Sequence, residues 1–139
     1  MLDGIVLAED LVAIVAVGIT VDGCKAVLDF ELGASESFST AEALTDRLVR
    51  RGFRVAKNRP LLAVLDGSDA LRKVTKKHFP DARIQRCLVH KERNLKRHLP
   101  RRHWEELHDL VDRLRKAQGA EAAIDVLGSW MRFLRRRTW

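Results

Sequence analysis

The stretch LLAVLDGSDALRKV, Leu61 to Val74, decides the fold. Its first five residues form an unbroken apolar run, the pattern of a strand covered on both faces. Asp66-Gly67 breaks the run. Ser68 is placed to cap a helix with Leu71 and Val74 facing inward, and Pro80 ends it. A buried strand that ends in a carboxylate and turns into a helix is a unit of an open α/β sheet. Ligands of such sheets gather at the carboxyl ends of strands. A carboxylate there can hold Mg²⁺, which prefers oxygen ligands. The plainer reading of Asp66 is a turn residue, since Asp-Gly is common in turns.

Upstream, residues 4–8 (GIVLA) and 11–20 (LVAIVAVGIT) are rich in β-branched side chains, and Glu9-Asp10 separates them as in a hairpin. Asp22-Gly23 signals a two-residue turn into a third strand, 25–32 (KAVLDFEL). Gly33 breaks the pattern. Ser39-Thr40-Ala41-Glu42 fits a capping box for a helix with Leu44 and Leu48 on one face, and Gly52 is its stop signal. Downstream, residues 83–89 (RIQRCLV) read as one more strand, and His90 to Leu99 as a helix stopped by Pro100. Residues 101–117 and 120–137 then show helical spacing, through Trp104, Leu107, Val111 and Leu114, then Ile124, Leu127, Met131 and Leu134. Gly119 separates them into a helical hairpin. The pattern predicts an α/β protein: a three-stranded antiparallel meander, further strands alternating with helices, and a helical tail. It divides into a sheet domain, 1–100, and a helical segment, 101–139, whose Trp130, Phe133 and Leu134 are expected to leave an apolar face exposed and limit solubility.

The 139 residues are 46% apolar and 32% charged, ordinary for one globular domain. The most apolar run, Leu11 to Ile19, is too short to cross a bilayer. Cys24 and Cys87 make no disulfide framework, which suits a reducing cytoplasm. The net charge of +7 is unevenly placed: residues 1–81 carry −1 and residues 82–139 carry +8. A basic half holds phosphates by Coulomb attraction and counterion release, or it is simply a solvated helical surface. The densest basic stretch is Lys91, Arg93, Lys96, Arg97, Arg101 and Arg102.

Three further points bear on chemistry. Asp3 opens the first strand; if that strand neighbours the Leu61–Leu65 strand, two carboxylates converge. Phosphodiester hydrolysis by two metals uses such a cluster, with ions about 3.5–4 Å apart. The plainer reading of Asp3 is a solvated strand end. Cys87 and His90 form a C-x-x-H pair, half of the four ligands that zinc wants; His98 and His103 follow at no finger spacing. The plainer reading of the pair is a buried cysteine and a helix-start histidine. Gly67-Ser68 lacks the spacing and lysine of a phosphate-binding loop, and no serine or cysteine triad is visible.

With these residues laid out, the chain resembles the Mutator-type transposases of bacterial insertion sequences. The segments that carry the resemblance are LDGI at 2–5, AVGITVDGCKAVLDFELGASES at 16–37, LTDRLVRRGF at 44–53, LLAVLDGSDALRKV at 61–74 and FPDARIQRCLVHKERNLKRHLP at 79–100. QRCLVHKERN downstream of DGSDAL is the most specific of them, and the likeness weakens beyond residue 117. The resemblance implies a ribonuclease-H-like core, similar to that of retroviral integrases, with an Asp-Asp-Glu triad. In that family two divalent ions, Mg²⁺ or Mn²⁺, activate water and then a DNA 3′-hydroxyl. Motif by motif, Asp3 takes the place of the first carboxylate and Asp66 of the second. Cys87 and His90 match a signature before a helical insertion, and Arg86, Lys91, Arg93, Lys96 and Arg97 are the DNA-binding candidates.

The departures are as informative. Family members carry a DNA-binding region before the first Asp, whereas Asp3 stands at the start here. Their Glu follows the insertion, and none of Glu105, Glu106, Glu121 or Asp125 stands in its context. The resemblance therefore implies a transposase fragment, truncated at both ends, that holds a metal weakly and is catalytically incomplete alone. The alternatives are a DNA- or transposase-binding module that regulates transposition, or a decayed remnant. The implied partners are transposon-end DNA and a full-length transposase or a second copy, with no membrane, in a nucleoid-associated cytoplasmic setting.

Overall fold

Residues 1–20 and 22–137 are described by the computed structural model. The chain divides into two units, Met1–Cys87 and the residues from Leu88 onward. The first holds β1 (Leu2–Ala8), β2 (Leu11–Ile19), β3 (Lys25–Gly33), α1 (Phe38–Arg50), β4 (Leu62–Leu65), α2 (Asp69–His78) and β5 (Arg83–Arg86). The second holds α3 (Leu88–Lys96), α4 (Trp104–Lys116) and α5 (Gly119–Arg135). The last two residues of the expected 101–139 segment lie outside the described residues. The expected boundary at Pro100 falls instead between Cys87 and Leu88, because α3 packs with α4.

The sheet has the order β3-β2-β1-β4-β5. β1, β2 and β3 form an antiparallel meander, and β4 and β5 continue it in parallel with β1. The expected mixed sheet is present. Its core lies on one face, where Ile14, Ala16, Ala63 and Leu65 meet Ala41 and Leu44 of α1 and Leu71 and Val74 of α2. The other face carries Ile5, Phe30 and Leu32, all exposed. The period of two along each strand fixes which residues go where: Leu2, paired with Ala16, faces the core, and Asp3, paired with Val15, faces away.

The helix ends follow from local chemistry, with some corrections. Arg51 and Gly52 close α1 as expected. Gly52 has φ +101, its N–H reaches Val49 O at 3.1 Å, and the Phe53 N–H reaches Leu48 O at 3.0 Å. That double closure needs a residue in the left-handed region, which glycine adopts without strain. The start of α1 differs from expectation. Ser37, and not Ser39, is the cap, accepting from the Thr40 N–H at 3.2 Å. Glu42 therefore makes no capping box; it pairs with Lys77 of α2. The β2–β3 connection also differs: it runs from Thr20 to Cys24, and among the described residues only glycines have positive φ. A two-residue turn with both central positions positive is thus not adopted. Instead the Thr20 N–H meets Cys24 O at 2.9 Å and the Gly23 N–H meets Thr20 O at 3.0 Å.

Arg47 fastens α1 to β3. Its guanidinium donates to Asp29 Oδ2 at 2.8 Å, Glu31 Oε2 at 2.5 Å and the Phe30 carbonyl. The hydrogen bond from Arg47 holds the Asp29 carboxyl well below the usual carboxylate range.

The helical unit packs Leu99, Leu107, Leu110, Val111, Trp130 and Phe133 together. The Trp104 indole N–H bonds to Leu99 O at 3.0 Å. Two expectations are overturned here. Trp130 and Phe133 are buried, at 7% and 4% exposure, not presented to solvent. The face that does remain open is Ile124, Leu127 and Met131, at 67%, 43% and 53% exposure. α5 is apolar on more than one side, so spacing alone does not choose its inward stripe. The fifth strand is also shorter than expected. It ends at Arg86, and Leu88-Val89 begin α3, because a short apolar run serves strand or helix equally well.

Candidate functional site

β1 and β4 are neighbours and parallel, with Leu2 opposite Leu65. One step further along both strands stand Asp3 and Asp66. Leu65 faces the core, and Asp66 follows it directly where β4 ends. Neighbouring strands lie about 4.8 Å apart. Carboxylate oxygens are the donor type that Mg²⁺ prefers, at ligand distances of about 2.0–2.1 Å. Asp66 is held in place by its own turn: Oδ1 accepts from the Ser68 N–H at 2.8 Å, and Ser68 Oγ in turn accepts from the Leu71 N–H at 3.4 Å to cap α2. Both acids are half-buried.

Two further side chains reach this end of the sheet. Gly67 has φ +114, and a Cβ there would overlap the Arg86 guanidinium. Glycine therefore serves twice at this position, for the turn and for the approach of Arg86 to the residue beside Asp66. A Cβ on Gly4 would overlap the Glu36 carboxylate, so an acid from the β3–α1 connection stands on the face of β1 opposite to Asp3. Glu36 escapes sequence reading because its place depends on how that connection folds back; the bare glycine after Asp3 is the only local hint. Among the described residues, no three or more His, Cys, Asp or Glu side chains converge as a metal-ligand group.

The C-x-x-H pair and the basic stretch are placed as follows. Cys87 is a half-buried free thiol whose N–H bonds to Leu65 O at 2.6 Å, closing the first unit. His90, also half-buried, lies in the first turn of α3 in the second. Lys91, Arg93 and Arg97 are exposed. Lys96 is partly engaged, donating to Glu92 Oε1 at 2.7 Å and lying 5.8 Å from the centre of the Trp104 ring.

Glu92 is the electrostatic centre of the helical unit. It is 7% exposed and meets Lys96, His108 Nδ1 at 2.9 Å and Arg115 at 3.7 Å. Burial alone would raise its pKa, but hydrogen bonds from Lys96 and His108, with their charges, outweigh it and the net shift is downward from 4.5. A depressed carboxylate stabilises fully above its unfolded pKa and loses that contribution as pH falls through the folded value. The helical unit is therefore expected to weaken below about pH 4.5. All three tryptophans, Trp104, Trp130 and Trp139, belong to this part of the sequence, so tryptophan fluorescence reports on it selectively. Glu92→Gln should lower stability at neutral pH and flatten the acid limb; an unchanged acid limb in the variant would rule Glu92 out as its source.

Comparison with known proteins bears on what this arrangement is. The family model described as transposase, Mutator family, matches residues 3–137. The chain belongs to the Mutator family of transposases. The transposase of the insertion sequence element ISRM5 from Rhizobium meliloti is 34% identical over 98% of this chain and 34% of its own length. That of IS905 from Lactococcus lactis is 30% identical over 84% of this chain and 29% of its own length. That of IS256 in transposon Tn4001 from Staphylococcus aureus is 28% identical over 70% of this chain and 24% of its own length. This Mutator-family chain thus spans about a third of the length of the first two relatives. The match begins at Asp3 and takes in the sheet unit and most of the helical one. Among the described residues, no helix is long and apolar enough to cross a membrane.

Proposed function

We propose that this chain is the part of a Mutator-family transposase that supplies the first two carboxylates of a metal-dependent strand-cleavage and strand-transfer centre, on a ribonuclease-H-like sheet. The observation that carries the reading is the shared register of β1 and β4, with Asp3 and Asp66 at the step after the Leu2–Leu65 pair. The antiparallel meander continued by parallel strands supports the ribonuclease-H-like assignment. The donor set suits Mg²⁺ or Mn²⁺, because Mg²⁺ is commonly held by one or two carboxylates together with substrate phosphates and waters. When bound, the ion polarises a phosphoryl oxygen and lowers the pKa of a ligated water. The protein's own residues do the positioning. Asp3 and Asp66 hold the cation from adjacent strands. The Ser68 N–H fixes the Asp66 carboxylate. Arg86, beside Gly67, offers a guanidinium to a phosphate at the same end of the sheet. Lys91, Arg93 and Arg97 provide exposed charge for the DNA backbone.

No converging group of three acids is found among the described residues, and that observation favours a second reading for the chain taken alone: a DNA- or transposase-binding module without cleavage activity. A plasmid-nicking assay with Mg²⁺ or Mn²⁺, alongside a salt series of DNA binding, tests both. The chain is expected to bind duplex DNA with an affinity that falls steeply with salt, and to nick feebly or not at all. Any nicking should vanish in Asp66→Asn. Nicking that survives Asp66→Asn undiminished would overturn the assignment of the centre.

A further inference from the structure

In the helical unit, α4 and α5 pack against each other, and a cleft of about 380 Å³ lies between them. Four arginines line it: Arg113 from α4, Arg132 from α5, and Arg136 and Arg137 just beyond it. Two of the four are held in position. The Arg137 guanidinium donates to Glu106 Oε2 at 2.7 Å and to His103 Nδ1 at 2.9 Å, and it lies 4.6 Å from the centre of the Phe133 ring. Arg132 donates to Ser129 Oγ at 2.9 Å, and the Ser129 hydroxyl in turn donates to the Asp125 carbonyl. The other two are not engaged. Among the described residues, the guanidinium groups of Arg113 and Arg136 make no hydrogen bond or ion pair, and both residues are exposed.

The lining also holds two carboxylates, Glu106 and Asp109. Glu106 is matched by Arg137, so what remains sets Arg113, Arg132 and Arg136 against Asp109 alone. Like charges gathered in one cleft repel, and an anion relieves them. A guanidinium fork suits phosphate oxygens in particular, because its planar donors match them two at a time. The cleft is also elongated. Glu106 and Arg113 stand two turns apart on α4, about 10 Å along its axis. Along a duplex, each strand presents a phosphate about every 3.4 Å of axis, so that length spans more than one.

We propose that the α4–α5 cleft is a second DNA-contact surface, separate from the basic residues of α3, that grips the phosphate backbone of a duplex. Arg113 and Arg136 supply the uncommitted charge, and Arg132 and Arg137 are oriented beforehand by Ser129 and by Glu106 with His103. The proposal rests on the reading of this chain as a DNA-handling part of a transposase, and it assigns the α4–α5 hairpin a share of that work.

The test is binding of the full chain to a fluorescein-labelled duplex of arbitrary sequence, followed by anisotropy across a salt series with EDTA present. Arg113→Gln combined with Arg136→Gln should reduce the slope of log affinity against log salt by about 2, since each phosphate contact contributes about 0.9. Arg113→Lys combined with Arg136→Lys should keep most of the slope, because counterion release counts charge. Arg72→Gln combined with Lys73→Gln removes the same charge from exposed positions of α2 and should leave the slope alone. Equal reductions in the two glutamine pairs would overturn the proposal, as would a parent chain with no measurable duplex binding. Lys91→Gln combined with Arg97→Gln separates the proposal from the reading it rests on: a reduction there alone would keep the DNA on α3 and exclude the cleft. EDTA removes divalent ions, so a failed Asp3–Asp66 centre shows in the nicking assay and not here. Calorimetry with pyrophosphate completes the set. If the Arg113 and Arg136 glutamine pair weakens pyrophosphate binding but leaves the DNA slope unchanged, the cleft takes small anions and its assignment to DNA is overturned.

Discussion

Asp66→Asn is expected to weaken Mn²⁺ binding at least about tenfold, a loss of roughly 1.4 kcal/mol or more. The physical reason is the combination of charge and aim. The substitution keeps the size of the side chain and an oxygen that can still accept from the Ser68 N–H, so the turn into α2 survives. What it removes is one of the two negative charges that follow the Leu2–Leu65 pair of β1 and β4, and a hard cation depends on that charge. Asp3→Asn should behave alike, because each acid directly follows one member of the Leu2–Leu65 pair. Asp29→Asn is the control. It lies in the same unit, but its carboxylate is committed to Arg47 and Arg51, and Mn²⁺ affinity should not change. A titration followed by electron paramagnetic resonance of free Mn²⁺ reads all three. Equal losses in Asp29→Asn and Asp66→Asn would mean that the ion responds to overall charge and not to a site.

Leu44→Ala should cost about 2–5 kcal/mol of stability in the sheet unit, the range for emptying a fully buried leucine site. Leu44 is 0% exposed and lies among Ile14, Ala16, Leu65, Leu71 and Val74, where the sheet meets both of its helices. Truncation removes transfer free energy and leaves a void that strands and helices cannot all close upon. Ile124→Ala makes the informative contrast. Both residues read as apolar helical positions, but Ile124 is 67% exposed, so its truncation should fall within about 0.5 kcal/mol of neutral. Urea denaturation followed by circular dichroism separates them. Comparable losses in the two variants would mean that the buried stripe of α1 or α5 is wrongly placed.

That contrast shows where the sequence was legible. Leu61–Leu65 announced a covered strand because nothing polar interrupts it, and Ser68 and Gly52 announced helix ends because few residue types do their work. The position of Asp66 followed from those local signals alone. The choice between Ser37 and Ser39 did not, since both hydroxyls lie near the start of α1 and the tertiary pairing of Glu42 with Lys77 decides against the capping box. RIQRCLV read as one strand because seven residues are too few to tell a period of two from one of 3.6. On α5, apolar residues on several sides left the inward face open until Trp130 and Phe133 were seen against Leu107 and Leu110. Within the candidate site, Asp3 was named from its place at the start of the first strand and then from its motif, but whether that strand neighbours β4 is a property of strand pairing. The approaches of Arg86 to Gly67 and of Glu36 to Gly4 join distant parts of the chain, and spacing carries no trace of them.

A crystal of this chain grown with Mn²⁺ and measured at the manganese absorption edge tests the shared-cation claim most directly. An anomalous peak within bonding distance of both the Asp3 and Asp66 carboxylates is the result expected. No peak between them, or a manganese ion bound only elsewhere, such as beside Glu92 and His108, would contradict it.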